Sequence, residues 1–258
     1  MNKIFLEKGK IKRRINFSQE IIGFWVTAEN ISRHIKIGQF IHIKVADNTN
    51  LILRRPFSVA DVKNQDLFFI FRVVGKGTLL MSKLSKNDEL DILGPLGKPI
   101  EIPQEKNILI IGGGLGIAPL YFLAKNLKKN KKNLFIILGA KSSKELILKE
   151  AFKKLKPQKL IFYTEDGTYG KKGKVPDGIP LIFEEEKIDV VYTAGPIAML
   201  KKVKLLLENK AIKVYGFLEE RMACGVGLCY VCAVPKKDGG YFHLCEEGPC
   251  LSLKEIKL

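Results

Sequence analysis

All five cysteines of this 258-residue chain lie beyond Leu218, and four of them have a spacing that could bind iron. Cys224, Cys229 and Cys232 fall within the stretch MACGVGLCYVC, and Cys245 follows after twelve residues. C-x4-C-x2-C with a distant fourth cysteine is a 2Fe-2S pattern. A compact loop must aim thiolates at the irons while its backbone N–H groups face the sulfides, and Gly225 and Gly227 give it that freedom. A four-cysteine zinc site is the main alternative, because Cys229-x2-Cys232 alone suits a zinc knuckle. Cys245, however, has no knuckle partner except Cys250. A redox C-x2-C pair is a weaker alternative, and Cys250 reads as a buried structural thiol. His34, His42 and His243 are scattered and read as structural, although His243 lies close enough to Cys245 to be a minor candidate ligand.

A second cluster of chemistry is LIIGGGLGIAPL (109–120), with Gly112, Gly113, Gly114 and Gly116 between an expected strand and an expected helix. Glycines there let a dinucleotide pyrophosphate approach the backbone, and free N–H groups at the helix start hold the anion. The alternative is a tight strand-to-helix turn without a ligand. A third cluster is RRPFSV (54–59) followed by IFRVVGKGT (70–78). Arg55 and Arg72 suit a bidentate clamp on a diphosphate. Ser58 suits a hydrogen bond to a flavin edge, and Gly75, Gly77 and Thr78 open a short helix as another anion site. Plain barrel strands and a turn are the alternative here.

These residues need a framework. Residues 1 to about 100 read as strands: EIIGFWVTA, GQFIHIKVA (38–46) and DLFFIFRVV are rich in β-branched and aromatic residues and broken at Gly, Asn and Asp. One short helix over 77–85 interrupts them. The pattern predicts a closed, six-stranded antiparallel barrel. Two prolines and a charged stretch at 98–107 mark a linker. Beyond it strands and helices alternate, with helices expected over 117–129, 142–155 and 196–209, which predicts a parallel α/β sheet. The domain reading is therefore 1–100 barrel, 101–217 nucleotide-binding domain and 218–258 cluster segment, and the Asp-Gly-Gly of 238–240 reads as a hairpin turn.

Composition narrows the function. No apolar run approaches a membrane span, and the start MNKIFLEKGKIKRRINF lacks the build of a signal peptide. The chain reads as cytoplasmic, where structural disulfides are not expected. Net charge is +17, yet lysine spread over many segments carries it, with no aromatic-studded basic stripe. Nucleic acid is accordingly not the expected partner. Only seven arginines occur, and Arg54, Arg55, Arg72 and Arg221 sit inside the motifs. Arginine thus falls where a planar, bidentate donor is wanted.

A barrel carrying R-P-x-S and G-x-G-T, followed by an α/β domain opening G-G-G-x-G, resembles the ferredoxin–NADP reductase superfamily over about residues 1–217. The resemblance implies FAD held by Arg55, Pro56, Phe57, Ser58, Ile70, Phe71, Arg72, Gly77 and Thr78, and a nicotinamide nucleotide facing Gly112, Gly113, Gly114 and Gly116. One departure is Ala194-Gly195-Pro196, where the superfamily has Cys-Gly-Pro. The order barrel, nucleotide domain, cluster segment, with LEERMACGVGLCYVCAV (218–234), CEEGPC (245–250) and TEDGTYGKKGKVPD (164–177), is similar to the dihydroorotate dehydrogenase electron-transfer subunit family over the whole chain. That resemblance implies no general acid or base in this chain. Electrons would pass from an FMN-containing catalytic subunit through a 2Fe-2S cluster held by Cys224, Cys229, Cys232 and Cys245, then through FAD to NAD+. The assembly would be a heterotetramer of two catalytic and two electron-transfer subunits, serving pyrimidine (UMP) biosynthesis. Flavoprotein subunits of ferredoxin–NADP oxidoreductase, sulfite reductase and hydrogenase complexes share the domain order and form the alternative. The bifurcating ones tend to carry aspartate where this chain has Cys224. A redox sensor is the non-enzyme alternative. In GAKSSKEL (139–146), Lys141, Ser142, Ser143 and Lys144 could meet a 2′-phosphate, but the absence of arginine favours NAD over NADP.

Overall fold

The structure, a computed structural model, describes residues 3–45 and 51–258; Ala46, the end of one expected strand, lies outside them. The chain forms two compact units.

The first unit is built on β1 (Phe5–Asn16), β2 (Ile21–Thr27), α1 (Glu29–His34), β3 (Phe40–Lys44), β4 (Arg55–Lys63), β5 (Asp66–Arg72), α2 (Lys76–Met81) and β6 (Glu89–Leu96). The six strands close as an antiparallel barrel in the order β1-β2-β5-β4-β3-β6, as expected. Its interior is an aromatic cluster. Phe24 meets Phe71 at 5.3 Å and Phe69 at 5.9 Å between ring centroids, and Phe57 meets Phe69 at 5.4 Å. On β5, Leu67 to Phe71 are buried without alternation, so both faces of that strand are covered. Register sets what each strand shows outside. Ser58 lies opposite Phe40, and Pro56 opposite His42. Directly opposed residues share a face, so these four lie together on the side away from Phe57.

The second unit is built on β7 (Asn107–Gly113), α3 (Ile117–Lys129), β8 (Asn133–Ala140), α4 (Lys149–Lys154), β9 (Lys159–Thr164), β10 (Lys171–Lys172), α5 (Ile179–Glu185), β11 (Val190–Ala194), α6 (Ile197–Leu207) and β12 (Lys213–Phe217). Beyond them come β13 (Ala233–Pro235), β14 (Tyr241–His243) and β15 (Cys250–Ser252). The sheet order is β10-β9-β8-β7-β11-β12-β15. Its central strands are apolar runs buried on both faces, the usual condition of a parallel sheet.

Three features differ in detail from the expected elements. The sheet is not wholly parallel, because β15 adds antiparallel to β12, with Phe217 opposite Cys250. The helix expected over 142–155 is only α4. Leu148 takes a left-handed φ of 57° before it. Upstream, the Ser143 N–H donates to Thr168 Oγ1 and the Glu145 N–H to the Ser142 carbonyl, which builds a turn instead. Leu146 and Ile147 supply the buried side chains that a longer helix would have offered. The segment expected over 218–258 is shared between the units. Residues 219–234 and 241–249 belong with the barrel, and 235–240 and 250–258 with the sheet. The expected hairpin is present as β13–β14, with Gly239 and Gly240 at φ 96° and 75°.

The aromatic cluster carries the barrel. Phe69→Ala is expected to lower stability by about 3–5 kcal/mol, read as a reduced midpoint in urea unfolding.

Candidate functional site

The four cysteines of the spacing motif converge by pairs. The backbone N–H of Cys224 meets the Cys229 sulfur, and that of Cys245 meets the Cys232 sulfur. Around them the backbone turns its donors inward. The Val226 N–H points at Cys224 Sγ (3.4 Å), the Cys224 N–H at Cys229 Sγ (3.5 Å), the Gly227 N–H at Cys245 Sγ (3.2 Å) and the Cys245 N–H at Cys232 Sγ (3.4 Å). Gly225 and Gly227, at φ 75° and 81°, make this possible. A Cβ at Gly227 would fall 2.8 Å from the Glu246 carboxylate. Two sulfur pairs ringed by amide donors fit two irons. Among the described residues no three His, Cys, Asp or Glu side chains stand close enough together to hold a metal ion.

The pairs differ in their surroundings. Cys229 is exposed and Cys224 partly so, whereas Cys232 and Cys245 are buried. Burial raises the Cys224 thiol, but the amide N–H of Val226 and the Cys229 thiol outweigh it and hold the pKa at about 7. Burial and the hydrogen bond to Cys232 push Cys245 up to about 12, against the Gly227 N–H. Cys250 is outside the quartet, on β15, and desolvation raises its thiol. His243 lies on the Tyr230 ring, centroids 4.4 Å apart, with Nδ1 3.9 Å from the Glu247 carboxylate.

The segment is fastened to the barrel end. The Gly97 N–H donates to the Cys245 carbonyl (3.1 Å) and the Lys98 N–H to the Gly248 carbonyl. A Cβ at Gly225 would fall 2.6 Å from His42 Cε1 and 2.8 Å from His42 Nδ1. His42 is fully buried, and neither of its ring nitrogens has a hydrogen-bond partner. Burial, helped by the Arg54 charge, lowers its pKa to about 4, so the ring is neutral. The sequence reading left His42 as a structural residue. Its only signal there was a polar residue in the middle of FIHIK.

The two arginines that begin the 54–59 motif do different work. Arg54 binds Asp91 on β6, through its carboxylate at 2.8 Å and its carbonyl at 3.0 Å. Arg55 reaches the start of α2, with Nε 3.0 Å from where a Cβ on Gly77 would stand, and Nη1 donates to the Leu51 and Leu53 carbonyls. Gly75 borders open space. The Thr78 hydroxyl is engaged, accepting from the N–H groups of Val74 and Gly75. Phe57 packs with the interior rings, Ile70 and Phe71 are buried, and Arg72 faces Glu20 at 3.5 Å. The structure thus brings Arg55 to Gly77, and Pro56 and Ser58 to the face of Phe40 and His42.

In the glycine-rich turn, packing accounts for three of the four glycines. A Cβ on Gly116 would strike the Ala194 carbonyl group at 2.4 Å, one on Gly113 the Met199 sulfur at 2.6 Å, and one on Gly112 Leu138 at 2.8 Å. Gly114, at φ 55°, borders open space. Ala194-Gly195-Pro196 ends β11 against this turn. Beyond β8, the Asp166 N–H donates to the Lys141 carbonyl at 3.2 Å, which brings Asp166 beside GAKSSKEL.

Comparison with known proteins gives this arrangement a class. Residues 110–205 match the family described as an oxidoreductase NAD-binding domain, and 219–257 the iron-sulfur cluster binding domain of dihydroorotate dehydrogenase B. A solved structure of the NADH-dependent reduced ferredoxin–NADP oxidoreductase superposes with TM-score 0.89 at 31% identity, covering 96% of this chain and 89% of that one. The CS-b5R domains of human Ncb5or share the fold at TM-score 0.69 and 15% identity, over 84% of this chain and 70% of that one. Fold and site together define an NAD-linked iron–sulfur flavoprotein oxidoreductase that uses FAD, a 2Fe-2S cluster and NAD.

The particular family follows from the curated relatives. The dihydroorotate dehydrogenase B (NAD(+)) electron transfer subunit of Listeria welshimeri is 40% identical over 86% of this chain and 87% of its own length. That of Fusobacterium nucleatum is 36% identical over 86% of each chain. The Thermotoga maritima homologue is 34% identical over 96% of this chain and 86% of its own. The chain belongs to the family of dihydroorotate dehydrogenase B electron transfer subunits.

Gly116 provides a check that is independent of cofactors. Because its Cβ would meet backbone and not a movable side chain, Gly116→Ala is expected to cost about 1–3 kcal/mol, read as a lowered midpoint in chemical denaturation.

Proposed function

We propose that this chain relays electrons between NAD+ and an FMN-containing catalytic subunit that oxidises dihydroorotate to orotate, in a cytoplasmic heterotetramer of two catalytic and two electron-transfer subunits serving pyrimidine synthesis. The observation that carries the reading is the quartet of cysteine sulfurs paired two by two among inward N–H donors. Bound, FAD exchanges single electrons for a hydride and the cluster passes electrons singly, so the protein's task is placement and potential.

In this reading Cys224, Cys229, Cys232 and Cys245 hold the cluster. Arg55, Pro56, Phe57, Ser58, Ile70, Phe71, Arg72, Gly77 and Thr78 hold FAD. The Arg55 guanidinium at the start of α2 supports a diphosphate there. The burial of Ile70 and Phe71 supports backbone contacts for those two positions. Gly112, Gly113, Gly114 and Gly116 border the nicotinamide nucleotide, and the open side of Gly114 supports its approach. NAD over NADP is supported by Asp166 beside the β8 loop and by the lack of arginine in 139–146. An acid there opposes a 2′-phosphate. None of the six α-helices in the described residues is long and apolar enough to cross a membrane.

The catalytic subunit docks over the cluster loop. Leu228 is 79% exposed, Tyr230 61% and Val231 50%, all within the stretch that carries Cys229. Three largely apolar side chains flanking Cys229 are costly to leave in water, and large exposed apolar patches mark interaction sites.

Cys229→Ser is expected to abolish electron transfer from the catalytic subunit to NAD+ while the protein retains its full flavin content. Coupled steady-state assays with both subunits and the visible spectrum read these two effects separately, and a variant with full coupled activity contradicts the reading. Leu228→Asp is expected to weaken association at least tenfold in sedimentation or titration calorimetry, while NADH oxidation by an artificial acceptor in the isolated subunit stays at the wild-type rate.

A further inference from the structure

His42 has no part in the assignments above, and its chemistry is unbalanced. A neutral imidazole carries one N–H donor and one acceptor, and buried polar groups are hydrogen-bonded as a rule. Here the ring is fully buried with both nitrogens unpartnered. It stands on β3 among Phe40, Ile41 and Ile43, a position that an aliphatic residue would fill at no polar cost.

Its surroundings identify the missing partner. The ring edge bearing Nδ1 and Cε1 presses on Gly225, so closely that a Cβ there would fall 2.8 Å from Nδ1. Gly225 directly follows Cys224, whose sulfur receives the Val226 N–H from the same turn. Across the strand pair His42 lies opposite Pro56, which carries no N–H to offer. Contact with Gly225 places the turn that carries Cys224 against the ring, so a sulfur of the cluster unit is an acceptor that this packing offers to a neutral imidazole.

We propose that His42 donates its imidazole N–H to a sulfur of the cluster unit held by Cys224, Cys229, Cys232 and Cys245, and thereby raises the cluster's reduction potential. The proposal rests on the cluster assignment made above. The direction follows from charge. Reduction adds an electron, an N–H donor stabilises the more negative form, and hydrogen bonds to the sulfurs are among the determinants of cluster potential.

The test uses the purified holoprotein with FAD and cluster bound. His42→Phe keeps a planar ring and removes the donor. Its cluster is expected to be about tenfold harder to reduce, which for a one-electron couple is a fall of about 59 mV in a redox titration followed by electron paramagnetic resonance. His42→Gln, which restores an N–H, is expected to recover part of the shift, while the flavin potential stays in place in both. An unchanged cluster potential in the loaded His42→Phe protein overturns the proposal, as does a shift confined to the flavin. If His42→Phe fails to load, the wild-type protein decides. With histidine labelled by 15N, the reduced cluster is expected to show an imidazole nitrogen coupling that survives His243→Gln, and its absence overturns the proposal. Iron and sulfide analysis of the wild type keeps the two levels apart. A wild type without iron removes the cluster reading and this inference with it, whereas a loaded wild type lacking the coupling removes only the role of His42.

Discussion

Four cysteine sulfurs that must act together as thiolate ligands would repel one another, and the loop that gathers them must answer with positive charge. This chain supplies it as backbone N–H groups. Val226, Gly227, Cys224 and Cys245 each turn a donor toward sulfur. An L-residue seldom adopts the backbone that this requires, hence φ 75° at Gly225 and 81° at Gly227. The constraint spreads outward from there. A loop with inward amides has no internal sheet or helix to hold it, so its stability comes from what it lies on. Gly97 and Lys98, just beyond β6, donate to the carbonyls of Cys245 and Gly248, and the bare α-carbon of Gly225 meets the His42 ring. The barrel end is thus part of the cluster site, and this is why residues 219–234 and 241–249 belong with the barrel.

Arginine shows a comparable economy. The chain carries +17 net charge, most of it on solvated lysine, and surface ion pairs of that kind contribute little. The adjacent Arg54 and Arg55 are spent on fixed geometry. Arg54 grips Asp91 twice and lies close enough to help keep His42 neutral. Arg55 turns to the start of α2, where the missing side chain of Gly77 leaves room for its guanidinium. Lysine would not replace either one, since each position uses the planarity of the group or more than one of its N–H donors.

Much of this was legible from the amino-acid order, and the limits have physical causes. Cysteine spacing is local, so the quartet could be read directly. The barrel strands and α3 follow from period and composition, which are also local. The helix expected over 142–155 failed because Ser142, Ser143 and a left-handed Leu148 make a turn whose outside partner, Thr168, is remote in sequence. β15 was missed because three residues with a cysteine at one end carry no strand signal; pairing with β12 creates the strand. The glycine-rich turn was read correctly as an element, but its glycines answer to different demands. Gly112, Gly113 and Gly116 are needed for close packing, and Gly114 alone borders open space. His42 was unreadable, since its meaning depends on Gly225, which lies far along the chain.

The quartet is also lopsided, and the asymmetry bears on how an electron gets in. Cys232 and Cys245 are sealed beneath the segment, while Cys229 is exposed among Leu228, Tyr230 and Val231. A cofactor buried on all sides would be protected but distant from any partner. One exposed on all sides would lose the dry surroundings that help set its potential. The arrangement here separates the two requirements. The inner pair is tied to the barrel through the Gly97 N–H on the Cys245 carbonyl. The outer pair is framed by apolar side chains whose exposure ends when another protein covers them. In the proposed complex, docking would dry the outer sulfurs when transfer occurs, so the rim proposed to attract the partner would also complete the insulation of the cluster.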